Sequence, residues 1–371
     1  MIRVLELIDG GFLGGGQMHI MSLIKNFDKQ KIYPVVSASA NGEFGDFVKR
    51  SGYKFEQADL PKIYRSKYLK EIEGIIKKNK IEIIHSHGGV AGMYSRFYKK
   101  KFGNIRTIHT IHGIHYINSA NIFRKFFTHM IEEYLVPYTD SFICVSDADF
   151  KTAESIKIIN PEKTSVIKNG IDIEKFRRKI KNRELCERLG IMERNFVIGN
   201  ISRFDIQKNQ IFIIENSKEI LSENPVVKIL LAGSGRYLDE CRRAADKSGF
   251  GDRFIFPGEI LNPEEYYPLF DIFVFPSKWE GLSLSLMESM ASSNCIMASR
   301  IPGNEELIKD NFNGMLFDTK DDKEYKDKLK QLIEYKEKRD KLSTQAGSDS
   351  DNYSEKIMTE KTESEYHKLL N

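Results

Sequence analysis

The chain has 371 residues, a net charge of +4, and 40% hydrophobic against 30% charged residues. This length fits two domains better than one, and the composition excludes a disordered chain. No window approaches the ~18 apolar residues that a membrane-spanning helix needs. The start is apolar but short and carries Glu6, so it predicts a buried strand rather than a signal peptide. Four separated cysteines without a C-x-x-C pair predict reduced thiols in a cytoplasmic protein, not a disulfide framework or a zinc site.

The first half alternates short apolar runs with amphipathic segments. Buried strands are predicted at 2–8, 33–39, 81–87, 105–112 and 141–146. A glycine-rich loop follows the first strand, and helical periodicity marks several of the intervening segments, among them 17–27, 66–80 and 123–135. Strand followed by helix, repeated, predicts an α/β domain with a mainly parallel sheet and helices on both faces.

The same alternation restarts near Asn169-Gly170. Strands of this second half are predicted at 195–202, 226–233, 253–258 and 271–277. Two doubly wound, Rossmann-like domains are therefore predicted in tandem, the first over 1–168 and the second over 169–347. Residues 320–345 predict one charged amphipathic helix, and the tail 348–371 predicts a surface helix that packs back on the first domain.

Two glycine-rich loops follow predicted strands. Ligands of open α/β sheets bind outside the carboxyl ends of the strands, and glycines there allow backbone N–H groups to approach a phosphate. Gly14, Gly15 and Gly16 form the first loop, which lacks the spacing of a dinucleotide fingerprint or a P-loop. A plain tight turn explains this loop equally well. Gly233 and Gly235 form the second loop and suit the same close approach to a ligand.

Histidines gather at two strand ends of the first half. Five of the eight lie there: His85, His87, His109, His112 and His115. A single histidine is usually structural, but five at a ligand-binding edge indicate a functional cluster. No H-E-x-x-H or carboxylate-rich spacing supports a metal. Hydrogen bonding to sugar hydroxyls or to a diphosphate is therefore the favoured interpretation.

Two cations follow the first strand of the second half. Arg203 comes just after this strand, and Lys208 lies five residues further on. A guanidinium that grips oxygens bidentately, together with an ammonium, is the usual equipment of a diphosphate site. Two exposed cations on an ordinary loop would look the same in the sequence.

Two acidic residues lie in and after the loop that follows the strand at 271–277. Glu280 is in the loop, and Glu288 lies eight residues on, within a helix predicted to begin near Ser283. Carboxylates at these positions can accept hydrogen bonds from sugar and ribose hydroxyls. The start of the helix can present bare backbone N–H groups to a ligand, from Gly281, Leu282 and Ser283.

Together these segments resemble glycosyltransferase family 4, whose members are retaining enzymes with two facing Rossmann-like domains, the GT-B fold. The resemblance covers nearly the whole chain and is strongest in the Glu280-x7-Glu288 motif. It extends through Gly14-Gly15, Thr110-x-His112-Gly113, Val145-Ser146, Asn169-Gly170-Ile171-Asp172, Arg203-Phe-x3-Lys208 and Gly233-x-Gly235. The sequence departs from the family pattern at Gln17, where Glu is common, and at Asn209, where Gly is common.

The resemblance implies a role for each matching residue. Arg203 and Lys208 would hold the donor's diphosphate and stabilise it as the leaving group. Glu288 would bind the nucleotide ribose, Glu280 the donor sugar, and His112 the transferred sugar from the opposite domain. The remaining donor contacts would come from Gly15, Gly16, Gly233, Gly235, Gly281, Leu282 and Ser283. The acceptor side would be lined by His85, His87 and His109.

The resemblance further implies a metal-independent hexosyltransferase without a cofactor. It would move a sugar from a nucleotide sugar, most often a UDP-sugar, to a glycan or lipid-linked acceptor in cell-surface polysaccharide biosynthesis. Asp147-Ala148-Asp149 spells the D-x-D pattern of metal-dependent transferases, but it opens a predicted helix, so its carboxylates are interpreted as first-turn charges. Two alternatives remain open: a nucleotide-sugar epimerase, and a non-catalytic nucleotide-sugar-binding subunit of a transferase complex.

Positive charge is concentrated in one part of the first half. Between Lys49 and Arg106, fifteen Lys and Arg stand against five Asp and Glu. With its interleaved aromatics, this stretch predicts peripheral contact with an anionic membrane at its inner face; the aromatics are Tyr64, Tyr68, Phe97 and Tyr98. An ordinary solvated helix surface is the alternative. No nucleic-acid recognition module accompanies the charge, so no nucleic-acid partner is predicted.

Overall fold

The computed structural model describes residues 1–118, 121–177 and 180–371. Within it the chain divides into two compact units: the first comprises residues 1–170 together with 355–371, and the second comprises 171–354. The sequence placed the division after residue 168 and assigned the whole tail from 348 to the first domain. In the structure the chain returns to the first unit only at Glu355.

The first unit is built on a seven-stranded parallel sheet with the order β3-β2-β1-β4-β5-β6-β7. Its strands are β1 (Ile2–Ile8), β2 (Ile32–Ala38), β3 (Lys54–Gln57), β4 (Ile83–His87), β5 (Arg106–Ile111), β6 (Ser141–Cys144) and β7 (Thr164–Val166). The sequence missed β3 and β7, the two edge strands. Both are short and lack a buried apolar run, because only one neighbour covers an edge strand.

Helices cover both faces of this sheet. They are α1 (Gly15–Asn26), α2 (Phe44–Arg50), α3 (Tyr68–Asn79), α4 (Gly89–Phe102), α5 (Ile122–Leu135) and α6 (Asp147–Ser155). Successive side chains of a strand point to opposite faces. Val4 accordingly packs in the core beside α1, while Leu5 and Leu7 pack in a second core beside α3 and α4.

The aromatic residues of the basic stretch belong to that second core. Tyr98 is 2% exposed, and the ring of Tyr64 lies 4.2 Å from the ring of Phe97. Tyr64, Tyr68 and Phe97 are partly buried against the core beside α3 and α4. The spacing of these four aromatics therefore reflects inward packing in part, and the membrane contact of the basic stretch stays a prediction.

The second unit has a six-stranded parallel sheet with the order β10-β9-β8-β11-β12-β13. Its strands are β8 (Phe196–Ile201), β9 (Val227–Ala232), β10 (Phe254–Gly258), β11 (Ile272–Phe275), β12 (Cys295–Ser299) and β13 (Met315–Phe317). Its helices are α7 (Ile173–Phe176), α8 (Arg183–Arg188), α9 (Gln210–Glu215), α10 (Lys218–Glu223), α11 (Leu238–Lys247), α12 (Leu284–Ala291), α13 (Pro302–Glu305), α14 (Asp322–Glu334) and α15 (Lys336–Ser350). The predicted pair of doubly wound α/β units is confirmed.

The charged segment at 320–345 is two helices rather than the one that was predicted. Tyr335 separates α14 from α15 with an extended backbone, at φ −98° and ψ 93°. α15 then continues past Gly347, where the sequence predicted a break.

The last helix, α16 (Glu355–Leu370), is a core element of the first unit rather than the predicted surface helix. Met358 and Tyr366 are buried in the core beside α1. Thr359 and Thr362 are also buried, and each hydroxyl donates to a carbonyl one turn earlier in the helix. Because these hydroxyls form their hydrogen bonds within the helix, polar residues can be buried there, and the hydropathy of the sequence does not reveal the buried face. Among the described residues, no helix combines the length and apolar character needed to cross a bilayer.

Each sheet reverses its strand order at one point, which is between β1 and β4 in the first unit and between β8 and β11 in the second. Loops leave in opposite directions at such a point and open a crevice at the carboxyl ends of the strands. The candidate site residues of each unit follow these strands or their neighbours.

Candidate active site

In the second unit, the loops after β8 and β11 are tied together. The Gln207 side chain donates to the carbonyl of Trp279 at 2.8 Å, and the Gln207 carbonyl accepts from the Lys278 backbone at 2.8 Å. Asn209 donates to the carbonyl of Pro276 at 3.2 Å. These bonds hold Lys208 against the loop that carries Glu280.

Asn209 has a left-handed backbone, with φ +56°. This is the conformation that glycine adopts freely and that asparagine tolerates better than most other residues. Asn209 therefore supplies the turn that the family pattern assigns to glycine, and the departure noted in the sequence has no structural consequence.

Lys208 and Glu280 form an ion pair. The Lys208 ammonium lies 2.7 Å from a Glu280 carboxylate oxygen, and the two side chains are 17% and 7% exposed. The ammonium also lies 4.9 Å from the centre of the Phe275 ring, a cation–π contact. An ammonium has three N–H donors, so Lys208 can keep Glu280 and still donate to a ligand oxygen. The structure thus brings together two of the predicted catalytic residues.

Arg203 is placed differently, on the open side of its loop. Its side chain is 67% exposed, and the guanidinium lies 3.8 Å from Asp205. Arg236 approaches the same carboxylate to 3.4 Å and is 66% exposed. The sequence reasoning missed Arg236, although it directly follows the Gly233-x-Gly235 motif. Two exposed guanidiniums around one carboxylate leave net positive charge available to an anion.

Gly233 and Gly235 are needed for close packing. Both have positive φ, +135° and +146°. A Cβ atom on Gly233 would lie 2.1 Å from the carbonyl oxygen of Ser202, and one on Gly235 would lie 2.3 Å from that of Phe204. The glycine loop therefore lies directly against the backbone on both sides of Arg203, and a larger residue would push this loop out of place.

The helix that follows Glu280 begins as predicted. Ser283 is the N-cap of α12, and its hydroxyl accepts from the backbone of Leu286 at 3.4 Å. The preceding turn, Gly281, Leu282 and Ser283, is buried. A Cβ atom on Gly303 would lie 2.2 Å from the Gly281 carbonyl oxygen, so the start of α13 packs closely on this turn.

Glu288 lies on the second turn of α12 and is half-buried. The Tyr267 hydroxyl donates to its carboxylate at 2.7 Å. Burial raises the pKa of Glu288 to about 7, although the Tyr267 hydrogen bond and Lys175 oppose the shift. Ionisation of a buried carboxyl group with a raised pKa lowers the stability of the folded protein. Groups that are kept at such a cost to stability are typical of binding sites.

This raised pKa predicts a pH-dependent stability difference for Glu288→Gln. Because the pKa of Glu288 is raised in the folded state, its protonated carboxyl group contributes to the stability of the folded protein. This contribution is fully present below pH ~4.5 and is lost as pH rises through about 7. Glutamine cannot ionise but can still accept from Tyr267. We therefore expect Glu288→Gln to be more stable than the parent protein at pH 8, by about 1–3 kcal/mol.

The measurement is the melting temperature of the parent and Glu288→Gln from pH 5 to pH 8, with Glu187→Gln, an exposed position, as the control. The difference should grow by several degrees across this range for Glu288→Gln only. A constant difference would show that Glu288 is ionised throughout.

In the first unit, the glycine loop opens α1. Gly14 is the N-cap, and a Cβ atom on Gly15 would meet nothing within 4 Å, so this position is open. A Cβ atom on Gly16 would approach Ile8 to 3.0 Å. The Gln17 side chain is buried and donates to the Gly10 carbonyl at 2.9 Å. A carboxylate could not make this bond, which explains Gln17 where Glu is common.

A buried polar network lies behind this loop, centred on Glu6. The Tyr366 hydroxyl donates to one Glu6 oxygen at 2.7 Å, and the His87 Nε2 lies 2.8 Å from the other. His85 contacts the Tyr366 hydroxyl and the Thr110 hydroxyl, both at 2.6 Å. Burial opposes the charge on Glu6, but His85 and His87 outweigh it and hold the pKa of Glu6 below its usual range.

The network determines which nitrogen of His112 carries the proton. Burial lowers the pKa of His87 to about 4, so His87 is neutral, and its Nε2 must donate to the Glu6 carboxylate. The Nδ1 of His87 is then unprotonated and accepts from the Nε2 of His112 at 3.1 Å. Burial also lowers the pKa of His112 well below its ordinary value. A neutral His112 is left with Nδ1 as a hydrogen-bond acceptor.

The three histidines predicted on the acceptor side are enclosed. His85 and His87 are 0% exposed and His109 is 4% exposed. His109 contacts the Ser86 hydroxyl at 3.1 Å, and a Cβ atom on Gly92 would lie 2.3 Å from its ring. These histidines therefore support the site from behind, and the prediction that they line the acceptor surface is corrected. The side chain of His115 lies outside the described residues.

Four members of the network were missed by sequence reasoning: Glu6, His19, Asn169 and Tyr366. The His19 ring lies 4.6 Å from the His112 ring, edge to face, and its Nδ1 lies 3.0 Å from the Asn169 amide oxygen. The one signal available was Glu6, an acidic residue inside an otherwise apolar strand. A buried charge requires partners, which a sequence does not locate.

Two groups of side chains in the network could in principle bind a metal: His19, His87 and His112, and Glu6, His85 and His87. Their ligand atoms lie within 4.8 Å of one another, and histidine with carboxylate suits zinc. Both ring nitrogens of His85 and of His87 already have protein partners, however. A cation would have to break these hydrogen bonds, so the arrangement fits a hydrogen-bonded network better.

The D-x-D sequence opens α6 as predicted. Ser146 is the N-cap, and its hydroxyl accepts from the Asp149 backbone at 2.9 Å. Asp147 lies 3.2 Å from the Lys168 ammonium. Both carboxylates are in the first turn of the helix, where they interact favourably with its dipole.

Solved structures identify the fold. The structure of HepE from Anabaena in complex with UDP and glucose is similar to this chain with a TM-score of 0.88 and 18% identity, over 99% of this chain and all of that one. At this identity the likeness defines the architecture, which is the two-domain GT-B fold of glycosyltransferases.

Sequence comparisons identify the family. The family model described as "Glycosyltransferase Family 4" matches residues 13–175, and the model described as "Glycosyl transferases group 1" matches residues 181–349. Together the two matches span most of the chain, which therefore belongs to glycosyltransferase family 4.

Two curated relatives illustrate the similarity. An Escherichia coli UDP-Gal:alpha-D-GlcNAc-diphosphoundecaprenol alpha-1,3-galactosyltransferase is 27% identical over 251 residues, 67% of this chain and 65% of the relative. The capsular polysaccharide biosynthesis glycosyltransferase CapH of Staphylococcus aureus is 24% identical over 316 residues, 83% of this chain and 84% of the relative. The match to the first relative thus covers just under two thirds of its length.

Proposed function

We propose that this protein is a retaining hexosyltransferase that moves a sugar from a UDP-sugar to a glycan or lipid-linked acceptor in cell-surface polysaccharide biosynthesis. The observation that carries the proposal is the cation set after β8. Lys208 is held on Glu280 at 2.7 Å, and the Arg203 guanidinium is open to a ligand.

The chemistry requires these cations. The bond between the sugar C1 and the diphosphate oxygen breaks, and negative charge accumulates on the departing diphosphate. Arg203, Lys208 and the N–H groups at the start of α12 can stabilise that charge without a metal. The acceptor oxygen forms the new bond to C1, and its proton passes to the diphosphate oxygen that has left. Attack from the face of the departing group retains the anomeric configuration.

The other residues bind and orient the donor in this proposal. Glu288 accepts hydrogen bonds from the ribose hydroxyls, and Glu280 accepts from hydroxyls of the sugar. His112 offers its unprotonated Nδ1 to a hydroxyl of the transferred sugar. Gly15 leaves room for a ligand at the start of α1, where backbone N–H groups favour an anion.

The acceptor and location are inferred from the relatives. The E. coli relative is named for a diphosphoundecaprenol-linked acceptor, and the S. aureus relative for capsular polysaccharide biosynthesis. The structural neighbour was solved with UDP. A lipid-linked acceptor of this kind would place the protein in the cytoplasm at the inner face of the membrane.

The experiment has two stages. Nucleoside diphosphates and nucleotide sugars are first screened by thermal shift, where a ligand that binds only the folded protein raises its melting temperature. We expect UDP to give the largest shift among the nucleoside diphosphates. The donor found in this way is then incubated with lipid-linked and free glycan acceptors, with and without EDTA, and the product anomer is determined by NMR.

The proposal predicts a product with the anomeric configuration of the donor, formed at the same rate in EDTA. An inverted product, or activity lost in EDTA and restored by a divalent cation, would contradict the mechanism. A stereoisomer of the donor formed without an acceptor would identify an epimerase. Donor binding without transfer to any acceptor would favour a non-catalytic subunit.

A further inference from the structure

Tyr267 is a buried polar residue that contacts Glu288, the acid proposed to bind the ribose. Its side chain is 0% exposed, and it lies in a short turn between β10 and β11. The ring is enclosed by three phenylalanines whose ring centres lie 5.7–6.0 Å away: Phe176, Phe270 and Phe273. Because this packing fixes the ring, it also fixes the position of the hydroxyl group at the tip of the ring.

The Tyr267 hydroxyl group lies between two acceptors on α12. It is 2.7 Å from the carboxyl oxygen Oε2 of Glu288 and 3.1 Å from the backbone carbonyl of Ser285. Burial and the neighbouring Glu288 raise the pKa of Tyr267 well above its ordinary value, so the hydroxyl group keeps its proton. A hydroxyl group donates one proton and accepts through two lone pairs. It can therefore donate to an ionised Glu288, or accept from a protonated Glu288 and donate to Ser285.

This contact holds one oxygen of the Glu288 carboxyl group in both protonation states. Within the described part of the chain, no hydrogen-bond donor contacts the other oxygen, Oε1. A carboxylate has about four sites that accept hydrogen bonds, so Oε1 and the second lone pair of Oε2 can both accept from a ribose diol. A side chain that is already fixed loses less conformational entropy when it binds a ligand.

We propose that Tyr267 is a positioning residue for ribose recognition, which holds the Glu288 carboxyl group in the orientation that accepts both hydroxyl groups of the nucleotide ribose. The inference deepens the proposed function and rests on it, because it requires that Glu288 binds the ribose. Every nucleoside diphosphate carries a ribose, so the inference does not depend on the base of the donor.

Two charged groups act on Glu288 in addition to Tyr267. Lys175 of α7 lowers the pKa of Glu288 and Glu264 raises it, and these two residues form an ion pair at 3.3 Å. Helix α15 also packs on α12, but none of its described charged groups contributes to the pKa of Glu288. Burial is the largest cause of the raised pKa, and the Tyr267 hydrogen bond opposes it. Loss of this hydrogen bond should therefore raise the pKa of Glu288 further.

The test compares the binding of UDP and of 2′-deoxy-UDP, which lacks one ribose hydroxyl group, by calorimetry of the full chain at pH 8. We expect the parent protein to prefer UDP by about tenfold or more, the value of a hydrogen bond to a charged group. In Tyr267→Phe the preference should fall to roughly threefold or less, while the affinity for 2′-deoxy-UDP changes little. Tyr325→Phe is the matched control, because Tyr325 is 1% exposed in the core of the same unit, and it should keep the preference.

A second measurement needs no ligand and reports the ionisation of Glu288. The melting-temperature difference between Glu288→Gln and the parent should grow with pH and level off above about 7, where Glu288 is ionised. In a Tyr267→Phe background, the difference made by Glu288→Gln should continue to grow to a higher pH, because the hydrogen bond that stabilises the ionised form is lost. A Tyr325→Phe background should leave the levelling point unchanged.

Tyr267→Phe that prefers UDP as strongly as the parent does would overturn the inference. An equal loss of affinity for both nucleotides would also overturn it, because that result indicates a structural role alone. So would a levelling point at the same pH in the parent and Tyr267→Phe backgrounds. Parent protein that binds no nucleoside diphosphate would contradict the proposed function itself, whereas normal UDP binding with an unchanged preference in Tyr267→Phe leaves the proposed function intact.

Discussion

Lys208→Ala and Arg203→Ala are expected to lower turnover at least 100-fold each. Each removes a cation that is proposed to stabilise the departing diphosphate, and loss of one preorganised donor of this kind costs on the order of 10²–10³ in rate. The measurement is steady-state transfer with a saturating donor, accompanied by the melting temperature of each variant. Because charge builds up mainly in the transition state, kcat should fall more than KM rises.

Matched controls separate this effect from general loss of charge. Lys218→Ala and Arg242→Ala remove exposed cations of the same unit and should leave kcat within about twofold. Lys208→Ala also leaves the largely buried Glu280 without its partner, so Glu280 is replaced by Gln in the same background to remove the stranded charge. Full activity of the double variant Lys208→Ala/Glu280→Gln would show that the role assigned to Lys208 is wrong. Normal turnover of Arg203→Ala would show the same for Arg203.

Glu6→Ala is expected to destabilise the first unit by about 3 kcal/mol or more. The Glu6 side chain is 0% exposed and accepts from Tyr366 and His87, so its removal strands buried donors. For a domain of this size, the melting temperature should fall by roughly 6–12 °C. Transfer should also fall, because His112 loses the chain of hydrogen bonds that fixes its proton on Nε2.

Tyr366→Phe tests the same network more gently if Glu6→Ala does not fold. It deletes one hydroxyl at constant ring volume, and we expect a loss of about 1–2 kcal/mol. Tyr335→Phe, at a 52% exposed tyrosine, is the control. UDP binding should be largely retained in Tyr366→Phe, since most of the residues proposed to bind UDP lie in the second unit. An unchanged melting temperature in both network variants would show that Glu6 is not held as described.

The local sequence pattern was sufficient to predict where the charged residues of the second unit lie. Strand ends predict where Arg203, Lys208 and Glu280 lie, because the carboxyl ends of parallel strands share one edge. The N-cap at Ser283 follows from the residue type alone. The sequence could not show that Lys208 pairs with Glu280, whereas Arg203 points outward next to Asp205. That difference depends on the bonds of Gln207 and Asn209 to the neighbouring loop.

The first unit was predicted less well, because its site depends on distant contacts. Tyr366 and Glu6 are 360 residues apart, and the apolar pattern of the tail gave no reason to bury it. Histidines at the strand ends predicted a functional edge, but only packing shows that His109 fills the space beside Gly92.

Helix α5 was predicted in place, but the side that it buries was not. The usual rule that the apolar side of a helix faces inward fails there, because the buried side carries the Glu132–Arg96 pair. A periodic pattern places residues on a side of a helix, but it does not show which side faces the core.

A crystal structure of the protein with UDP tests the central claim most directly. The account predicts diphosphate oxygens within hydrogen-bonding distance of the Lys208 ammonium and the Arg203 guanidinium, and ribose hydroxyls on the Glu288 carboxylate. A diphosphate bound away from both cations, with Glu288 still bonded only to Tyr267, would contradict it.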